Sequence, residues 1–592
     1  MPLVLRLAYM SCAGRGRAFT ITRYNKNNKE SGMRKLGIGM LLLMLVLLTG
    51  WWLTRPPSTD LIFYGGPVLT VNQQDQVAEA LAVKEGVIVA VGDVASVMAH
   101  RTADTQVIDL QGRALLPGFV GAHEHPTLTA VFAGAHDLSG FTHQSNAQVW
   151  SALRQAIAAT PPGEWVYAGG LDAILVPDLQ VPMREALDTL APDNPVVLIS
   201  QTLHSAWANS MAFREAGVTA DTPDPGTGSY YERDADGGFT GFIAETRAMA
   251  PFVEGLRAPL GLAGRYGDTL DGYLSQGFTS VASLGYNLPP WLARLVALRD
   301  FQPRIRQFFY LVDSELQYLP DTPDHDDPYF RVLGVKLWHD GSPYTGSMLT
   351  SMPYLDSELG KTLGIEPGSH GAGMIAQQEL VERLCHYSRE GWQVAIHSQG
   401  DESNRQVSRA ILEALPAGAG QRQVRLEHSV LLPPDLLPAL AERGVSPSFH
   451  INHILYYGDR LADSIIGRHV AQQVLPVRRA FELQMHPSLH ADSPMFPTEG
   501  FSLMQTAITR QTSSGQVLNA AQAITVQQAL RAMTINAAWQ LGIDQQAGSL
   551  EVGKWADLQI VDQSPYAVPA KRLSALKVEE VYLAGALQYR RE

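Results

Sequence analysis

The sequence predicts an α/β protein: a (β/α)8 TIM barrel, with a small β-sandwich domain formed by both chain ends, an insertion after the first barrel strand and an N-terminal transmembrane helix. Three observations carry this. From residue 115 to about 545, strand-like and helix-like segments alternate, the signature of a parallel sheet or barrel, and eight apolar β-runs can be counted. The two ends, 57–114 and 546–592, read instead as short strands and turns. Residues 36–53 are the one long uncharged apolar run.

That run is just long enough, at about 1.5 Å per residue, to cross a hydrocarbon core of about 30 Å. Arg15, Arg17, Arg23, Lys26, Lys29, Arg34 and Lys35 precede it, which places segment 1–35 in the cytoplasm and the body outside. No small-residue cleavage site or lipid-acceptor cysteine follows it, so an uncleaved signal anchor is expected: a single pass of the inner membrane, with the catalytic domain facing the periplasm or exterior. Met33 followed by Arg34 and Lys35 would itself make a start, leaving 1–32 as an over-extended reading frame.

Neither end segment is enough for a stable sheet alone, so the two are expected to complete one domain together. The barrel strands are expected at 115–126, 278–283, 305–312, 332–338, 393–397, 423–428, 445–450 and 485–491. Residues 165–245, rich in Pro, Gly and Asp, are too long for a simple connection and read as an insertion over the barrel mouth.

Composition sets limits. A chain of 592 residues, 45% hydrophobic, can bury a large core. Its net charge of −13, with no basic stripe in the body, argues against a nucleic-acid partner. Cys12 and Cys385 cannot staple the globular part, and Cys385 in an apolar helical run reads as a small core residue.

Chemistry concentrates at strand ends. His123 and His125 stand two apart on a β-run, so both rings point the same way and can bind one ion. With 17 histidines, about 0.5 such pairs arise by chance, so the pair needs partners. They occur where barrel enzymes keep catalytic groups, at the C-terminal ends of later strands: His397, His428 and Asp492, with Lys336 inside the fourth strand. A lone one of these reads as a hydrogen-bonded strand-end residue, and Lys336 as the partner of a carboxylate such as Asp340. Convergence on one mouth is what favours a site.

The motifs resemble the amidohydrolase superfamily, and within it the third family of YtcJ-like metal-dependent hydrolases. They are Leu-Pro-Gly-Phe-Val-Gly-Ala-His-Glu-His-Pro at 116–126, His-Ser-Ala-Trp-Ala-Asn-Ser at 204–210, Asp-Gly-Gly-Phe-Thr-Gly-Phe-Ile-Ala-Glu at 236–245, Val-Lys-Leu-Trp-His-Asp-Gly-Ser at 335–342, Ala-Ile-His-Ser-Gln-Gly-Asp at 395–401, Arg-Leu-Glu-His-Ser at 425–429 and Ala-Asp-Ser-Pro at 491–494. The resemblance implies a divalent metal, Zn2+, one or two per chain. His123 and His125 would hold the first ion, and His397 and His428 a second, or would position substrate if only one ion binds. Lys336 would bridge the two once carboxylated to a carbamate, since an ammonium would repel them. Asp492 would take a proton from the attacking water and return it to the leaving nitrogen. His204, Glu245 and His453 would contact substrate.

The chain departs from relatives at Gly121, at Glu124, in the seventh-strand sequence Phe-His-Ile-Asn-His-Ile at 449–454, and at His490. The expected activity is hydrolysis of a non-peptide carbon–nitrogen bond in amides such as N-formyl or N-acyl amines or cyclic amides. The expected partners are that small-molecule amide, the membrane and, as an option, a second copy in a homodimer. Two other readings are a non-catalytic regulator linked to exoenzyme production and an isomerase or deacetylase of a sugar-like substrate.

Overall fold

The structure, a computed structural model, describes Met44 and residues 61–226, 229–299, 302–416 and 422–592. The chain divides into two units, Met1–Arg55 and Pro56–Glu592. The expected apolar span 36–53 and the segment before it lie, Met44 apart, outside the described residues. No helix among the described residues is long and apolar enough to cross a membrane.

The centre of the second unit is an eight-stranded parallel barrel sheet. Its strands are β1 (Phe119–Glu124), β2 (Phe278–Tyr286), β3 (Arg306–Val312), β4 (Phe330–Trp338), β5 (Gln393–Ser398), β6 (Val424–His428), β7 (Ser446–Phe449) and β8 (Ser488–Leu489). They pair in chain order, each parallel to the next. Because both faces are covered, the strands read as nearly continuous apolar runs; β2 and β4 are buried along almost their whole length. Helices Pro259–Ser275, Gln377–Arg389 and Asp401–Ala414 turn apolar faces (Leu270 and Leu274; Leu380 and Leu384; Val407 and Ile411) inward.

Between β8 and β1 a side chain closes the barrel. Glu124 is fully buried; Ala491 N–H (3.3 Å) donates to its Oε1, while Ser493 N–H (2.8 Å) and the Thr498 hydroxyl (3.4 Å) donate to Oε2. Its carboxylate does the work of a strand ladder where β8 is only two residues long.

Three expectations are corrected. The run 115–126 is two strands: Ala114–Pro117 belongs to the end sheet, antiparallel to Leu558–Val561, and β1 belongs to the barrel. Gly118 divides them where a Cβ would lie 2.3 Å from the Thr279 side chain. Second, the strands of the two chain ends are hydrogen-bonded into one continuous eight-stranded sheet, so the layers of the expected sandwich are not separate sheets. Strand Leu61–Leu69 is irregular between Tyr64 and Val68 and pairs first with Gln106–Asp109, then through Val68 with Ala114–Pro117, so one strand joins both halves. Both chain ends share its core, with Leu61, Phe63 and Leu81 against Leu558, Ile560 and Tyr582. Third, the insertion starts earlier than residue 165. A six-stranded sheet runs from His136–Asp137 to Phe239–Ala244, with a core on each side. Its first helix, Asn146–Ala159, is amphipathic like a barrel helix and hides the boundary in the sequence.

Candidate metal centre

The C-terminal end of β1 and the segment after β8 meet at the barrel mouth. His123 is fully buried on β1 and His125 follows one residue beyond it. His123 Nε2 lies 3.2 Å and His125 Nε2 2.9 Å from the same oxygen, Asp492 Oδ1. Yet His123 Nε2 and Asp492 Oδ1, both buried, make no hydrogen bond. Two imidazoles and a carboxylate that face each other without a proton aligned between them suit a cation. Each of the three offers a ligand atom within 4.8 Å of the others, and they fit a divalent ion. Burial pushes the His125 imidazolium pKa down, leaving the neutral ring that can donate a lone pair. Burial also disfavours charge on Asp492, but the imidazoles of His428, His123 and His125 hold its carboxyl well below the usual range. Asp492 sits at φ 59°, a left-handed conformation that costs a non-glycine residue on the order of 1 kcal/mol and tends to mark functional sites.

On its far side, His123 Nδ1 is 2.6 Å from Glu427 Oε2. Donating that N–H leaves Nε2 as the lone-pair nitrogen. Glu427 is buried with Arg425, whose Nε is 3.0 Å from Oε1 and which also donates to Ala122 O (2.9 Å) and Tyr310 Oη (3.2 Å). Burial would raise the Glu427 pKa, but the Arg425 guanidinium and His123 lower it. Lys336, on β4, is buried and its Nζ makes no hydrogen bond. Burial pushes its pKa down to about 8. Asp340 is not its partner, because that carboxylate accepts backbone N–H from Leu349 (3.1 Å), Gln399 (2.9 Å) and Gly400 (2.9 Å).

His397 and His428 stand side by side, ring centroids 4.3 Å apart, and His428 is 4.7 Å from His123 on the same measure. His397 Nε2 is 3.5 Å from Gly341 O and 3.8 Å from Asp340 Oδ1. Among the described residues it belongs to none of the three-ligand groups, whereas His428 belongs to two: one with His123 and His490, one with His450 and Asp492. His428 Nδ1 and His450 Nδ1 lie 3.8 and 3.9 Å from Asp492 Oδ2. Burial pushes both pKa values down, that of His450 to about 4. His453 is buried, with Nδ1 2.9 Å from Tyr344 Oη and Nε2 without a partner. It opens the π-helical segment His453–Tyr457, a geometry frequent at functional sites.

His204 and Glu245 pair with each other at 2.9 Å, 45% and 41% exposed, in the insertion. A cavity of about 340 Å³ opens at His125, lined by Leu128, Val131, Leu262, Leu284 and Trp338 with Arg257, but not by His204 or Glu245. Sequence reasoning missed Glu427, Arg425, His450 and His490. Glu427 adjoins a recognised histidine, and a glutamate inside an apolar strand was its signal; the two histidines were visible as oddities without a role.

The amidohydrolase family matches this chain over residues 106–589. N-substituted formamide deformylase of Arthrobacter pascens is 27% identical over 553 residues, covering 90% of this chain and 98% of that protein. Putative amidohydrolase YtcJ of Bacillus subtilis is 24% identical over 560 residues, covering 89% and 99%. The crystal structure of an uncharacterized metal-dependent hydrolase from Pyrococcus horikoshii superposes with a TM-score of 0.69 at 20% identity, covering 86% and 99%, a likeness of fold. Matched over most of its length, with the histidines and the aspartate gathered at one barrel mouth, the chain belongs to the amidohydrolase family.

Proposed function

We propose that the protein hydrolyses carbon–nitrogen bonds of small non-peptide amides, N-formyl or N-acyl amines foremost, with a zinc ion held by His123, His125 and Asp492. The observation that carries it is the pair of imidazoles facing one carboxylate oxygen without a hydrogen bond at His123 Nε2 or Asp492 Oδ1. A divalent ion there supplies a water that ionises near neutral pH and polarises the carbonyl under attack. The chain's residues supply the rest. With the ion bound, Asp492 Oδ1 would help hold it, while Oδ2, on a side chain 18% exposed, would accept a proton from the attacking water and pass it to the leaving nitrogen. Glu427 keeps His123 Nε2 free of its proton, and the apolar cavity beside His125 takes a hydrophobic substituent while excluding water. Lys336, whose Nζ makes no hydrogen bond and whose pKa burial pushes down to about 8, holds far more free amine near neutral pH than an ordinary lysine, and free amine is the form that adds CO2. As a carbamate it would serve a second ion with His397 and His428. His453, with its unpartnered Nε2, is the polar contact for substrate; His204 and Glu245, paired and partly exposed on the insertion, are assigned to substrate contact from their motifs alone. The uncharged apolar run 36–53 and the basic residues before it support a body anchored in the inner membrane and facing outward.

The test is metal content and turnover of a chain starting at about residue 57. One or two zinc ions per chain and hydrolysis of N-alkyl or N-aryl formamides, releasing formate, are expected. A protein that takes up no metal on reconstitution and cleaves no amide would refute the proposal.

A further inference from the structure

The cavity of about 340 Å³ that opens at His125 is lined by polar side chains that the protein itself leaves unmatched. Thr127, two residues beyond His125, and Ser283 on β2, paired in register with Glu124 of β1, both line it. Both hydroxyl oxygens are buried and neither makes a hydrogen bond. A buried hydroxyl without a partner costs stability, and one beside a cavity calls for a polar atom of a ligand. Arg257 ends the turn Glu254–Arg257 and lines the same cavity. It also borders a separate surface hollow with Pro251 and Pro259, which puts it at the rim. Among the described residues its guanidinium pairs with no carboxylate, and no Asp or Glu lines the cavity; Glu254 borders only the outer hollow. The rest of the wall is largely apolar, with Leu128, Val131, Leu262 and Trp338. It is preformed at Trp338: Gly285 has φ 79°, and a Cβ there would lie 2.8 Å from the indole, so the ring rests directly on the β2 backbone.

The hydroxyls thus stand next to the candidate metal ligands and the guanidinium at the rim. A guanidinium is always charged and only donates, so its complement is an anion. We infer that Arg257 is a specificity-determining residue: it binds a carboxylate on the amine part of the substrate, while Thr127 and Ser283 bind the polar atoms of the amide and the apolar wall takes the segment between. A formyl group has no substituent, so in an N-formyl substrate the amine part is what fills the cavity. An α-amino acid, with its carboxylate one carbon from the nitrogen, has no apolar segment between the two polar groups to lay on that wall. The class that fits is an N-formyl or N-acyl derivative of an amino acid whose carboxylate lies several carbons from the nitrogen, such as an aminomethylbenzoic acid. The volume is at the low end of ligand pockets, about 300–1,000 Å³, enough for one such group. The inference rests on the amide-hydrolase reading for its reaction, and carboxylate binding at Arg257 can be measured without turnover.

The test compares two amides on the full chain, 4-(formamidomethyl)benzoate and N-(4-methylbenzyl)formamide, which differ only in carboxylate against methyl. The carboxylate is expected to raise kcat/KM about tenfold, mainly through KM, and R257Q to bring the ratio of the two close to one, with R257K keeping part of it. A ratio near one in wild type overturns the inference, as does a ratio that survives in R257Q. T127V and S283A are expected to lower kcat/KM for both amides while the ratio stays; loss of the ratio in either variant would overturn the placement of the anion at the rim. If neither amide is cleaved, the amide-hydrolase reading fails and binding decides the subsite. Calorimetry should then show 4-ethylbenzoate binding about tenfold more tightly than 4-ethylbenzamide to wild type but not to R257Q. No preference, or a preference that persists in R257Q because the carboxylate sits elsewhere, overturns the inference.

Discussion

At Asp492 the two carboxylate oxygens have different neighbours: Oδ1 the imidazoles of His123 and His125, Oδ2 those of His428 and His450. Replacing Asp492 with Asn keeps an oxygen for the ion and removes the proton acceptor. Turnover is expected to fall about 10²- to 10⁴-fold with zinc content near normal, and a near-normal rate would exclude the assigned role. Glu427 acts through His123. Glu427→Gln keeps the shape beside His123 Nδ1 but removes the charge that faces Arg425, and zinc affinity is expected to drop about 10- to 100-fold, measured by competition with a chelator.

Strand β1 does two jobs at adjacent residues, sending His123 into the mouth and Glu124 into the seam with the segment after β8. Substituting Ala for Glu124 would strand the buried N–H groups of Ala491 and Ser493 next to Asp492. We expect a loss of about 2–5 kcal/mol in unfolding free energy, read by denaturant titration, together with lower activity because Asp492 lies between the two released N–H groups. Glu124→Gln, which retains one acceptor, is expected to recover part of both.

Across the whole molecule, the insertion is tied to the barrel through the segments that follow β7 and β8. Gln201 Nε2 donates to Pro494 O and Met495 O (2.9 and 2.7 Å), and the Tyr457 hydroxyl donates to the buried carboxyl of Asp172. Burial raises the Asp172 pKa from 3.8 to about 6. Its folded pKa lies above the unfolded one, so the folded state binds more protons between those values. Stability from this group is therefore full below about pH 4 and is lost as pH rises through about 6. The difference in melting temperature between wild type and Asp172→Asn is expected to shift steadily against wild type from pH 4 to 7; a difference independent of pH would show that Asp172 does not titrate in this range.

All eight barrel strands, and the histidines and the aspartate that gather at one barrel mouth, were legible in the sequence, because a strand buried on both faces must be apolar along its length and a histidine ending such a run is conspicuous. Membership of the amidohydrolase family followed from the same motifs. What sequence reading missed depends on partners far along the chain. Sequence separations of 304 from His123 to Glu427 and 367 from Glu124 to Ala491 hide both contacts, since no local pattern distinguishes a paired buried carboxylate from an unpaired one. The break at Gly118 rests on the Thr279 side chain, and the true start of the insertion on a sheet whose strands recruit each other from residues 136 to 244. Local composition decided which residues are apolar, where strands end and which side chains can bind a cation. Only the closed barrel decided which nitrogen and which oxygen each of them presents, because that depends on a hydrogen-bond partner supplied from another strand.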